Sequence, residues 1–88
     1  MNWHIYKYPL AVSIENTLSL PRFSHILDIQ LQCGVPHVWV KVSDCEVMII
    51  TKIKAFPTGA NQPEIENLIH IKTIQDAQGY VWHFFYSE

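Results

Sequence analysis

The chain is predicted to fold as an all-β protein, a single small antiparallel sandwich or partly closed barrel of about seven strands. Three observations lead there. Aromatic and β-branched residues recur throughout and favour strands. Apolar residues alternate with a period of two in several runs. No stretch has the three-and-four spacing of an amphipathic helix.

The run His25 to Phe56 is the centre of the reading, as three consecutive antiparallel strands in a meander. A two-residue loop at Gly34-Val35 sets Leu31 opposite Val38, Ile29 opposite Val40 and Leu27 opposite Val42. The reverse face then pairs Gln32 with His37, Gln30 with Trp39 and Asp28 with Lys41. A second turn at Asp44-Cys45 sets Val42 opposite Val47, Val40 opposite Ile49 and Val38 opposite Thr51. On the reverse face it adds Lys41 with Met48, Trp39 with Ile50 and His37 with Lys52. A one-residue slip would drive Asp28, Lys41 and Lys52 into the core. Two faces result: one aliphatic, the other mixing Ile26, Trp39, Met48, Ile50 and Phe56 with Gln, His and Lys.

Around this centre the other elements follow in order. Trp3 to Tyr8 alternates as a strand ended by Pro9, and Ala11 to Ile14 is expected to continue it. Glu15-Asn16 is a turn. Leu18 to Leu20 is a short strand held extended by Pro21. The segment from Pro57 to Pro63 is the one long loop, with two prolines and a glycine, followed by a helical turn at Glu64 to Asn67. Asn67 to Gln75 and Tyr80 to Tyr86 form a closing hairpin across Asp76 to Gly79. Pairing Gln75 with Tyr80 places Ile69, Ile71 and Thr73 on the core face with Tyr80, Trp82, Phe84 and Tyr86. So aromatic a final strand is expected to dock inside its sheet.

Length and composition narrow the function classes. With 88 residues the chain is read as one domain, residues 1–88, burying about 60 to 65% of its unfolded surface. An apolar content of 49% excludes intrinsic disorder. A net charge of −2 with no block of like charge gives no footprint for duplex nucleic acid. No run approaches the ~18 apolar residues of a membrane span, and no signal peptide is evident. Cys33 and Cys45 fall at opposite ends of the central strand, out of disulfide reach, and read as the reduced thiols of an intracellular protein.

Candidate chemistry is sparse. His70 and His83 share a face of the last hairpin, but no carboxylate or metal-finger spacing accompanies them, so neither a metal nor another cofactor is expected. Cys33 and Cys45 lack a catalytic signature, and the acidic residues form no paired-carboxylate pattern. The aromatic rings read as core rather than as a base-stacking platform, because the six Lys and Arg are scattered. Trp39 is the exception, since it points away from the aliphatic face and is of the kind that dominates interface energy.

A spaced pattern runs along the chain, from Ile5-Tyr6-Lys7-Tyr8-Pro9-Leu10 and Leu20-Pro21 near the start, through Ile26-Leu27, Gln30, Gln32, Gly34, Pro36 and Trp39, then Thr58-Gly59, to Val81-Trp82-His83 and Phe85. On these residues the chain resembles a family of short, uncharacterised bacteriophage and prophage proteins. At the long loop the family reads IYGTGH, whereas Ala55 to Ala60 here lacks the closing histidine. The resemblance implies a phage or prophage origin and a compact β domain, not a reaction.

The expected function is therefore a non-enzymatic accessory protein that binds a host protein in the host bacterial cytoplasm, with counter-defence inhibition as its concrete form. Its contact surface is expected on one face holding Trp39, His37, Met48, Ile50 and Lys52, joined by Phe56, Thr58 and Gly59 of the long loop. One alternative is a small-ligand module sequestering a nucleotide signal near Thr58-Gly59, Lys52 and Lys54. Another is a structural role as a homo-oligomer.

Overall fold

The computed structural model describes all residues from Met1 to Glu88, and its architecture is all-β. The strands are β1 (Trp3–Pro9), β2 (Asn16–Pro21), β3 (His25–Gln32), β4 (Val35–Ser43), β5 (Met48–Pro57), β6 (Ile69–Gln75) and β7 (Val81–Ser87), with a 3₁₀ turn at Pro63–Asn67. They form two open antiparallel sheets, a three-stranded one ordered β1-β4-β3 and a four-stranded one ordered β2-β5-β7-β6. The sheets pack face to face on Leu10, Leu20, Ile29, Val38, Val40, Val42, Ile53, Ala55 and Phe84.

The centre of the chain departs from the expected meander. β3 and β4 form the expected hairpin, but β5 does not pair with β4; it lies in the other sheet between β2 and β7. The stretch β2–β3 pairs with β4–β5 as one long hairpin bent in the middle. Leu20 faces Ile49 in one sheet, and Ile26 faces Val40 in the other. At the bend the Arg22 N–H donates to the Val47 carbonyl at 2.7 Å, and the Ser43 hydroxyl donates to the Arg22 carbonyl. Ser43 is thus buried with a partner in the facing turn between β2 and β3. Asp44 is taken up by the N-terminus: its N–H donates to the Asn2 carbonyl at 3.1 Å, and its carboxylate accepts the Asn2 N–H at 3.0 Å. The polar stretch that resembles a turn is a crossing between sheets.

Registers shift for equally local reasons. The β3–β4 loop is Cys33-Gly34, both with positive φ (51° and 79°), as a type I′ hairpin requires. This moves the register by two residues and preserves the faces, so that Ile29 meets Val38 rather than Val40. A bulge between Ile26 and Asp28 then turns Ile26 toward the core and leaves Leu27 half exposed, the reverse of expectation. Asp28 faces Trp39 instead of Lys41 and reaches across the sheets to Lys72 at 3.1 Å.

In the last hairpin Gln75 pairs with Val81, one residue beyond expectation. The Asp76 carboxylate accepts the N–H groups of Gln78 and Tyr80 at 2.9 Å and the Trp82 indole N–H at 3.1 Å, which folds Tyr80 into the loop and exposes it. A bulge between His70 and Lys72 keeps Ile71 on the core side with Ile74, Trp82 and Tyr86, while Thr73 turns outward and Ile69 is exposed. β7 does dock inside its sheet, between β5 and β6, with Phe84 fully buried.

Residues 11 to 15 do not prolong β1. They form a connection closed by Asn16, whose side chain accepts the Ala11 N–H and donates to the Ala11 and Ile53 carbonyls.

Candidate functional site

Alternation along each strand assigns the expected contact residues. His37 and Trp39 flank the buried Val38 and so point outward from the three-stranded sheet. Their rings lie tilted, 6.0 Å apart, and Trp39 is half-buried between Lys7 of β1 and Asp28 of β3. Met48, Ile50 and Lys52 alternate with Ile49, Thr51 and Ile53 and point outward from the four-stranded sheet. The two groups occupy opposite outer faces of the sandwich. The single patch expected from the meander is therefore divided, because it depended on β5 pairing beside β4.

On the four-stranded sheet the β5 face has two unlike ends. Phe56 is only 3% exposed. Its ring meets Phe85 edge-on at 5.7 Å, and the Lys54 ammonium lies 5.3 Å from its centroid. Lys54 is ion-paired with Glu64 of the 3₁₀ turn at 2.9 Å, which anchors the 57–68 connection at this end. Phe56 is thus a packing residue, not the surface contact expected of it. At the other end nothing anchors over the face: Met48 is 51% and Ile50 50% exposed, with Val47 exposed beside them. Their neighbours on β2 are Pro21 and Ser19, neither charged.

Thr58 and Gly59 belong to the anchored end. Gly59 has φ 89° in a turn closed by Ala60 N–H on the Pro57 carbonyl, a conformation that needs its missing Cβ. The Thr58 hydroxyl lies 2.8 Å from His83 Nε2. His83 Nδ1 lies 3.0 Å from the Thr73 hydroxyl, which is 2.9 Å from His70 Nε2. His70 and His83 do share a face, bridged by Thr73. No group of three or more His, Cys, Asp or Glu side chains converges anywhere in the structure. The arrangement ties the long loop to the last hairpin.

In the region expected for a nucleotide signal, each lysine has a carboxylate beside it. Lys54 is held by Glu64, and Lys52 lies 4.0 Å from Glu15. The recess among these four residues measures about 120 Å³, below the ~300 Å³ at which ligand pockets begin. A larger open cleft of about 710 Å³ lies between the sheets beside the bend, floored by Leu20, Ile26, Ile49 and Ile71 and rimmed by Arg22 and Phe23. Val47 and Phe23 stand outside the expected contact set. Both lie at the bend, and only recognising that Pro21 to Ser24 faces Ser43 to Val47 would have placed them.

Both cysteines are free, Cys33 exposed and Cys45 half-buried, at opposite ends of β4. No helix is long and apolar enough to cross a membrane. A family model described as a domain of unknown function (DUF7352) matches residues 1–88. No curated protein and no solved structure matches.

Proposed function

The chain belongs to the DUF7352 family, and we propose that it is a non-enzymatic accessory protein of phage or prophage origin that binds a host protein in the bacterial cytoplasm and modulates it. One observation carries the reading: the exposed apolar side chains of Met48 and Ile50, which share the outer face of β5 at its unanchored end. One strand face that is buried at Phe56 and open at Ile50 has been covered where the fold needs covering. Contiguous apolar surface left open on a small domain marks an interaction site. Uncharged neighbours such as Ser19 and Pro21 impose little desolvation cost on an incoming apolar partner.

The test is affinity capture of the tagged chain from a bacterial host, followed by mass spectrometry. A stoichiometric host protein is expected with the wild type and with Trp39→Ala, which alters the opposite face. It is expected to be lost with Ile50→Asp at unchanged circular dichroism. Absence of any stoichiometric host protein with the wild type would overturn the reading. Loss with Trp39→Ala but not with Ile50→Asp would move the surface to the three-stranded sheet.

A further inference from the structure

The two open sheets have four edges, and three of them are blunted. β3 is interrupted by its bulge at Leu27 and held to the other sheet by Asp28–Lys72. β6 is interrupted by its bulge at Ile71. β2 is short and ends at Pro21, which has no N–H to offer. Bulges, short strands, proline and charge are the devices by which sheet edges avoid pairing with other chains.

β1 has no bulge and is the longer of the two bulge-free edges. Its register with β4 runs unbroken from Trp3↔Ser43 to Pro9↔His37, its proline stands only at its last residue, and Lys7 is its one charge. It is an outermost strand, so the N–H and C=O groups that alternate away from β4 have no strand partner. Its side chains are unusually open for their kind, with Ile5 65%, Tyr6 50% and Trp3 41% exposed.

We infer that β1 pairs antiparallel with β1 of a second copy of this chain, joining two three-stranded sheets into one continuous sheet. A second copy is the occupant this edge fits because the strand is self-complementary in one register. Centred on Ile5, the twofold sets Ile5 against Ile5, Trp3 against Lys7 and His4 against Tyr6. Aliphatic thus meets aliphatic, indole meets ammonium, and aromatic meets aromatic, each a favourable cross-strand pair. Within one copy the same chemistry already operates: Lys41 lies 4.6 Å from the Trp3 ring centroid, and His4 stacks on Tyr6 at 5.7 Å. Centring on Tyr6 would set Ile5 against Lys7 and Trp3 against Pro9, losing two of these pairs. The twofold is isologous and closes at two copies. It also leaves Met48 and Ile50 free, because they lie in the other sheet.

Sedimentation equilibrium of the full chain tests the pairing. The wild type is expected to sediment as a dimer, and Ile5→Lys as a monomer with unchanged circular dichroism. A second variant fixes the register: Ile5→Cys in a Cys33→Ser/Cys45→Ser background is expected to give a disulfide-linked dimer on mild oxidation, whereas Tyr80→Cys in the same background does not. A monomeric wild type, a dimer that survives Ile5→Lys, or equal cross-linking at both positions would overturn the inference.

Discussion

The buried Ser43 hydroxyl donates to the Arg22 carbonyl, tying the crossing between β4 and β5 to the crossing between β2 and β3. The same oxygen accepts the Cys45 N–H at 3.2 Å, and the Ser43 N–H donates to the Ser24 hydroxyl at 3.3 Å. Removing it leaves a carbonyl and an N–H without their partner at the point where both strands change sheets. Ser43→Ala is expected to lower stability by about 1 to 3 kcal/mol. Urea unfolding should show a lower midpoint at unchanged slope; an unchanged midpoint would mean the bend is held elsewhere.

Phe23 sits in the adjacent Pro21–Ser24 turn with φ 71°, in the left-handed region where a bulky side chain is strained. Its ring is more than half exposed, with the Arg22 guanidinium 5.1 Å from its centroid. Glycine fits this backbone without strain, although it adds freedom to the unfolded chain. Phe23→Gly is expected to be neutral or to stabilise by up to about 1 kcal/mol. A fall in melting temperature of several degrees would show that the ring contributes more packing than its exposure implies.

The two-residue period is enough to recover strands and most of the core, because inward residues such as Ile29 and Val42 each lie between polar ones. What it could not carry was pairing across a break in the period. The bulges at Leu27 and Ile71 reverse the faces of residues on one side of them, and no residue type announces either. Ser43 is polar and buried, so it reads as the start of a turn when it is the corner of a bent strand. With β5 expected beside β4, Trp39 and Ile50 are neighbours by construction. The divided contact surface follows from that one misplacement.

Phe56 and Ile50 share one strand face and should behave oppositely. Phe56→Ala removes a ring that is almost fully buried against Phe85 and is expected to cost about 3 to 5 kcal/mol, enough to threaten a domain of this size. Ile50→Asp changes a half-exposed position and is expected to cost about 1 kcal/mol or less, chiefly through strand propensity. Thermal unfolding of the two variants separates them. If Ile50→Asp were as destabilising as Phe56→Ala, the open end of β5 would be core and not contact surface.

Asp76 makes the last hairpin sensitive to acid. Partial burial alone would raise its pKa, but the Trp82 indole and the N–H groups of Tyr80, Gln78 and Gly79 outweigh this and hold the carboxyl below its ordinary 3.8. Asp28 is also lowered, first by its hydrogen bond from Gln30 and, against some burial, by Lys72 and the Ile29 N–H. A carboxyl whose folded pKa is depressed is protonated first in the unfolded chain as pH falls. Its stabilisation is therefore complete above the unfolded value and is lost as pH drops through the lower folded one. Asp76→Asn can keep one oxygen for the backbone N–H groups, but its NH2 then faces the Trp82 indole N–H, donor against donor, where the second carboxylate oxygen accepts. At pH 7 the variant is expected to be less stable than the wild type. Between pH 5 and the onset of acid unfolding, roughly the span over which such carboxylates titrate, the two stability curves should converge, with the remaining decline belonging to Asp28 and the other carboxylates. Denaturant melts at stepped pH give both curves, and a difference that stays constant to the lowest pH would show that the Asp76 contacts act without their charge.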